Sequence, residues 1–147
     1  MMLHPIFEAE VIARSVRRWV VEPRSVGPAR HALRENMLVW GLAETADVAE
    51  LVLSELFTNA LRHATVPSDI LIETHFEHLP DGIRIQVHDA GSAAPVPREV
   101  PDDAEGGRGL SLVDALTGGR WGVSSRDGAG KAVWAVIPSA APSAGNG

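Results

Sequence analysis

The clearest pattern in the chain is an apolar stripe with helical spacing near the end of its first half. Apolar residues recur at intervals of three, four, seven and eleven positions: Leu53, Leu56, Phe57, Ala60 and Ala64. This is the repeat of one face of a helix, and it predicts a long helix from about residue 45 to 64. A preceding helix is predicted over residues 25–40, because Ser25 can cap its start and Gly41 can end it.

Alternating apolar and polar residues predict strands in the second half of the chain. Residues 70–76 and 83–87 flank the turn sequence Asp81-Gly82 and predict a β-hairpin. The same reasoning predicts strands at residues 121–125 and 132–137, an early strand at residues 15–21, and a short helix at residues 109–116.

Helices come early in this order of elements and strands come mostly late. The order favours an α+β fold, a two-layer α/β sandwich, over a doubly wound parallel sheet. We expect a mixed or antiparallel sheet, covered on one face by helices at about 25–40, 45–64 and 109–117.

The length of 147 residues suggests one domain. We expect an N-terminal extension over residues 1–14, the domain over 15–138 and a disordered tail over 139–147, which holds only Ser, Ala, Pro, Gly and Asn. Residues 90–107 show no periodicity, and long loops in compact domains often act as lids. We therefore expect residues 92–106 to be mobile until a ligand binds.

Composition excludes several classes of function. The formal net charge of −6 argues against nucleic-acid binding. Because the chain has no cysteine, disulfides, thiol catalysis and thiolate metal sites are excluded. No apolar run approaches the ~18 residues of a membrane span, and no signal-peptide pattern is present, so a cytoplasmic protein is expected. The histidines show no metal-ligand spacing: His4, His31, His75, His78 and His88.

A second stripe on the long helix carries polar side chains. Glu55, Asn59 and His63 are spaced four apart and lie on one face. The Asn59 oxygen suits Mg²⁺, which takes oxygen ligands, and Glu55 could act as a general base. A solvated helix face is the alternative for this stripe, and a capping or packing role is the alternative for His63.

Two glycine-containing segments could complete a nucleotide site. Asp89 at a strand end could accept a hydrogen bond from an exocyclic amine, while Gly91 lets a ring approach the backbone. The segment Gly106-Gly107-Arg108-Gly109-Leu110 precedes a predicted helix, where free N–H groups bind anions, and the Arg108 guanidinium could bind phosphate. Taken singly, each segment could be a turn or loop. The second segment fits neither a dinucleotide fingerprint nor a Walker loop.

Together, the three segments resemble the GHKL superfamily of ATPases and its Bergerat ATP-binding fold, shared by gyrase, MutL and histidine-kinase catalytic domains. Glu55-x-x-x-Asn59-Ala-x-x-His63 is similar to the N box, Asp89-x-Gly91 to the G1 box, and Gly107-x-Gly109-Leu110 to the G2 box. The similarity spans residues 15–138 and is greatest to the single-domain anti-sigma-factor serine kinases of bacteria.

The resemblance implies a role for each matching residue. Asn59 would hold Mg²⁺, Asp89 would read the adenine amine, and Glu55 would activate the acceptor hydroxyl. The remaining members of the implied ATP site are His63, Gly91, Gly107, Arg108, Gly109 and Leu110. Two departures are Ser92-Ala93 after the G1 box, where a second glycine is common, and Ala132 where relatives often carry Thr near the adenine.

The resemblance implies an anti-sigma type serine/threonine kinase, which would transfer the γ-phosphate of ATP to a small antagonist protein. The alternative is a nucleotide-dependent binding module that sequesters a sigma factor or another regulator without phosphotransfer. Glu55 favours the kinase, whereas the missing glycine and Thr favour the module. The expected partners are the antagonist protein, a sigma factor, or both, with a homodimer possible and with no nucleic acid or membrane.

Overall fold

The structure of the protein is a computed structural model that describes residues 10–63, 71–89, 105–125 and 131–139. It contains five strands and three α-helices, in the order β1 (Ala13–Val20), α1 (Val26–Val39), α2 (Ala46–His63), β2 (Leu71–Leu79), β3 (Gly82–Asp89), α3 (Glu105–Thr117), β4 (Trp121–Ser125) and β5 (Lys131–Pro138). Short 3₁₀ turns precede α1 at Pro23–Ser25 and α2 at Ala43–Thr45. The termini assigned to an extension and a disordered tail lie mostly outside these residues, so those predictions stay predictions.

The five strands form one sheet in the order β1-β2-β3-β5-β4, and all neighbouring strands are antiparallel. The predicted α+β sandwich is therefore confirmed, and its sheet is antiparallel. The predicted hairpin is β2–β3, with Leu79 opposite Gly82. At Gly82 a Cβ atom would lie 2.3 Å from the backbone oxygen of Ile137, so β5 approaches β3 closely because this residue has no side chain.

The helices cover one face of the sheet, as predicted. The strand residues of the core cluster lie at alternate positions: Ile72 and Phe76 on β2, Ile83, Ile85 and Val87 on β3, and Val133, Ala135 and Ile137 on β5. The strand register places all of them on the same side. The apolar stripe of α2 belongs to the same cluster, since Leu53, Leu56 and Phe57 are fully buried. We call the opposite side, which no helix of the described structure covers, the uncovered face.

The chain turns at both ends of α1. Gly41 has φ 77°, its N–H donates to the Leu38 carbonyl, and the Leu42 N–H donates to the Met37 carbonyl at 2.7 Å. This is the Schellman arrangement that a C′ glycine favours. Ser25 stands at the predicted N-cap position, but its hydroxyl donates to the Val20 carbonyl at 2.7 Å and forms no helix cap.

Several strand boundaries differ from the predictions by one to three residues. β1 begins two residues earlier than predicted, at Ala13, and β2 continues to Leu79 because its partners on both sides extend its hydrogen-bonded ladder. None of the described helices is long and apolar enough to cross a membrane.

Candidate functional site

The topology brings the three candidate segments to one end of the sheet. Strand β3 ends at Asp89, which lies opposite Ile72 near the start of β2. Helix α2 ends at His63, shortly before β2 begins. Strand β4 runs towards the Asp89 end of the sheet, and α3 ends beside the start of β4. Since the chain reverses direction between α3 and β4, the N-terminus of α3 points to the Asp89 end as well.

Glu55 and Asn59 lie one turn apart on α2, as predicted. The fully buried Leu56 and Phe57 hold this part of the helix in the core. The Asn59 residue is 9% exposed, while Glu55 is half-buried. Among the described residues, neither the Glu55 carboxylate nor the Asn59 amide has a hydrogen bond or ion pair with another side chain. A largely buried amide that bonds no other described side chain is available to bind a ligand.

Asp89 faces the helices. Since it lies opposite Ile72 in the register, its side chain is on the covered side of the sheet with the core residues, while the neighbouring His88 is on the uncovered face. Asp89 is half-buried. A carboxylate at this position can accept a hydrogen bond from a ligand that enters between the sheet end and α2.

The glycine-rich segment is helical, which corrects the prediction that it is a loop before a helix. Helix α3 begins at Glu105, so Gly107, Arg108 and Gly109 lie in its first turns. Sequence reasoning missed this start because glycine is a poor helix former and the segment has no apolar periodicity. Its first turns place N–H groups at the site end of the sheet.

The rest of α3 is fixed by packing. Val113 is fully buried, Leu110 packs against the core, and the Trp121 indole N–H donates to the Asp114 carboxylate at 2.9 Å. These contacts join α3 to the core and to β4. Leu110, a predicted site residue, is thus half-buried beside the core.

Several predicted site residues cannot be placed in full. Gly91 and most of the predicted lid, residues 92–104, lie outside the described residues, as do the side chains of His63 and Arg108. Only the backbone of Gly107 and Gly109 is described, within α3. The last two residues of the predicted lid, 105 and 106, belong to α3. That part of the lid prediction is wrong, because the helix starts earlier than its glycines suggested.

The difference between Ala132 and the threonine of relatives does not affect the surroundings of Asp89. Ala132 pairs with His88, so both side chains point to the uncovered face. A threonine at this position would point away from the side that carries Asp89. This departure from the family pattern therefore gives no support to a loss of adenine binding.

A cluster of possible metal ligands on the uncovered face was not predicted from the sequence. Glu73, His75 and His88 each offer a ligand atom, and these atoms all lie within 4.8 Å of one another. The prediction that the histidines lack metal-ligand spacing considered distances along the chain. The signal was available in the predicted hairpin, because its register brings His88 opposite Glu73.

Comparison with protein families agrees with the geometry. The family model described as a histidine kinase-like ATPase domain matches residues 20–137. This range includes the three α-helices, strands β2 to β4 and nearly all of β5, but only the last residue of β1. No curated protein matches the sequence. Because the family model covers most of the chain, we conclude that the chain belongs to the histidine kinase-like ATPase family, whose domain is of the ATP-binding GHKL type.

Proposed function

We propose that the protein is a serine/threonine kinase of the anti-sigma type, which transfers the γ-phosphate of ATP to a hydroxyl of a small antagonist protein. The observation that carries the proposal is the pair Glu55 and Asn59. Both lie on one face of α2, which is anchored in the core and packs against β3, the strand that ends at Asp89. In this proposal the pair supplies a base and a metal ligand.

The residues of this end suit ATP and Mg²⁺. Asp89 would accept a hydrogen bond from the adenine amine, and the N–H groups in the first turn of α3 would bind phosphate. The Asn59 amide, 9% exposed and without a protein partner among the described residues, offers an oxygen to Mg²⁺. When bound, the ion would neutralise negative charge on the phosphate oxygens.

Glu55 supports phosphotransfer rather than nucleotide binding alone. In the proposed reaction the acceptor oxygen forms a bond to the γ-phosphorus, the bond between that phosphorus and the bridging oxygen breaks, and ADP leaves. The acceptor's proton passes to the Glu55 carboxylate. That carboxylate is half-buried and forms no ion pair with a described side chain.

The test is a phosphotransfer assay with the full chain. Purified protein, labelled ATP and Mg²⁺ are incubated with a panel of candidate antagonist proteins, and mass spectrometry locates any phosphate on the partner. The proposal expects one phosphoserine or phosphothreonine on one partner. If the protein binds both ATP–Mg²⁺ and a partner but never phosphorylates that partner, it acts as the binding module that holds a sigma factor or another regulator.

A further inference from the structure

Three side chains on the uncovered face converge although no helix of the described structure lies over them. Glu73 and His75 are two residues apart on β2, so they point to the same side. His88 on β3 lies directly opposite Glu73. The three ligand atoms, one from each side chain, lie within 4.8 Å of one another.

The cluster is already held together by polar and ring contacts. His75 Nε2 lies 2.8 Å from Glu73 Oε1, and the rings of His75 and His88 stack with centroids 4.1 Å apart. His88 Nε2 lies 3.1 Å from Gln86 Oε1. The side chains of Glu73 and His75 are 14% and 19% exposed, so water and small ions can reach them.

The two oxygens of the Glu73 carboxylate have different partners. His75 Nε2 contacts Oε1. Arg18 Nε binds the other carboxylate oxygen, Oε2, at 3.0 Å. Oxygen Oε1 therefore remains on the side of the two histidines.

We propose that Glu73, His75 and His88 form a binding site for a first-row divalent transition metal, with Zn²⁺ as the best match. Two imidazoles and one carboxylate are a ligand set that Zn²⁺ accepts in tetrahedral geometry with a fourth position left for water. The site is on the opposite side of the sheet from Asp89, so it is distinct from the Mg²⁺ position of the proposed function.

Binding requires one local movement. The two imidazole rings are nearly parallel, with 11° between their planes, and the in-plane lone pairs of parallel rings do not converge on one ion. One ring must rotate about its side-chain bonds. The metal would also take the place of the hydrogen that lies between His75 Nε2 and Glu73 Oε1.

The test is a calorimetric titration of the tag-free full chain with Zn²⁺ after treatment with a chelator, in the absence of nucleotide. The structure predicts one equivalent of Zn²⁺ that excess Mg²⁺ does not displace, because Mg²⁺ prefers oxygen ligands. Co²⁺ used as a spectroscopic probe should show the intense visible bands of a tetrahedral site. Since no nucleotide is present, the result is independent of the proposed kinase activity.

Single substitutions locate the site. His75→Gln, His88→Gln and Glu73→Gln should each weaken Zn²⁺ binding at least about tenfold, since even substitution of a ligand's supporting partner costs 10–100-fold. The matched control is His31→Gln on α1, whose side chain is 73% exposed beside Glu35; its affinity should equal that of the wild type. Equal unfolding midpoints in chelator would show that the variants are folded. A protein that binds no stoichiometric Zn²⁺, or binds it equally well in all three ligand variants, would overturn the proposal.

Discussion

Glu77 and Arg84 face each other across the β2–β3 hairpin, and Arg84 Nε donates to the Glu77 carboxylate at 2.5 Å although the side chains are only 3% and 2% exposed. The same carboxylate accepts hydrogen bonds from Arg14 at 2.9 Å and from Gln86 at 3.0 Å. The uncovered face thus carries a buried ion pair, which is tolerable because the carboxylate has three donors.

Removal of one partner should destabilise the protein strongly. Glu77→Leu leaves the buried Arg84 charge without its carboxylate, and we expect a loss of about 3–5 kcal/mol in the free energy of unfolding. The double change Glu77→Leu with Arg84→Met removes both charges and should recover most of that loss. Urea unfolding measures both values.

The control for this pair is Arg24→Gln. Arg24 bonds Glu22 at the same distance of 2.5 Å, but its side chain is 84% exposed, so we expect no measurable change in stability. If Arg24→Gln and Glu77→Leu were equally destabilising, burial would not be the reason for the importance of Glu77.

The free energy of unfolding should decrease at low pH because of Glu73. Its pKa is lowered from 4.5 to about 2 in the folded protein, chiefly by the hydrogen bond with His75. The folded state therefore binds this proton less readily than the unfolded state, so the stabilisation is present above pH 4.5 and is lost as the pH falls towards 2. Burial raises the pKa of Glu77, but the hydrogen bonds and charge of Arg84, with Gln86 and Arg14, outweigh it and keep that pKa below its ordinary value.

Unfolding titrations in chelator measure this effect. Wild-type stability should fall more steeply through the acid range than that of Glu73→Gln, which cannot titrate at this position. Parallel curves for the two proteins would show that Glu73 contributes no acid dependence.

Gly82 should tolerate no side chain. In Gly82→Ala the new Cβ would meet the backbone of β5, with Ile137 O at 2.3 Å and Pro138 Cα at 2.9 Å. Backbone atoms cannot move aside without disturbing the β3–β5 ladder, so we expect a loss of about 1–3 kcal/mol. The matched control is Gly27→Ala in α1, where nothing lies within 4 Å and alanine should stabilise the helix by up to about 1 kcal/mol. Urea unfolding should give opposite signs for the two substitutions.

Asn59→Ala should separate nucleotide binding from folding. Alanine is a better helix former than asparagine, and Asn59 has no side-chain bond to another described residue, so the stability of the apo protein should hold or rise. Affinity for ATP–Mg²⁺, measured by calorimetry, should fall because a metal ligand is gone. Thr58→Ala, at an exposed neighbour on α2, makes a similar gain in helix propensity and should leave the affinity for ATP–Mg²⁺ unchanged. A variant that lost stability and kept its affinity would assign Asn59 a purely structural role.

Glu55→Gln should leave ATP binding nearly intact, because glutamine is almost isosteric and a good helix former. Phosphotransfer should fall about 10²–10⁴-fold, the usual contribution of general acid–base catalysis. Transfer at the wild-type rate would show that Glu55 is not the base, while the kinase assignment would remain.

Asp89→Asn should weaken ATP binding by about 1–3 kcal/mol, since the amide can present a donor where the adenine amine needs an acceptor. Inosine triphosphate, whose base lacks that amine, should bind the wild type weakly and lose little more with the variant. Equal affinities of the wild type for ATP and GTP in calorimetry would contradict the role of Asp89.

The positions of most elements could be predicted from the sequence because they depend on local periodicity. The apolar repeat around Leu53 and Phe57 marks α2, the alternation from Ile83 to Val87 marks β3, and Gly41 marks the end of α1. The candidate pair Glu55 and Asn59 was predictable for the same reason, since a spacing of four on a helix already places two side chains on one face.

The tertiary structure alone decided which distant residues meet. The pairing of β3 with β5 puts Ala132 beside His88 on the uncovered face, away from Asp89. Helix α3 packs against α2 and β5, and it begins at Glu105. Its first turns contain glycines, whose intrinsic preference is against a helix.

The sequence by itself thus determined the antiparallel hairpin, the helix faces and the residue types of a nucleotide site. The register of that hairpin already implies that Glu77 faces Arg84 and that Glu73 faces His88. The sequence did not determine that Glu77 and Arg84 are buried or that the rings of His75 and His88 stack. Those contacts depend on strand register and on the side of the sheet left uncovered by helices. Register and packing are properties of the whole fold, because each strand's position is fixed by partners far away along the chain.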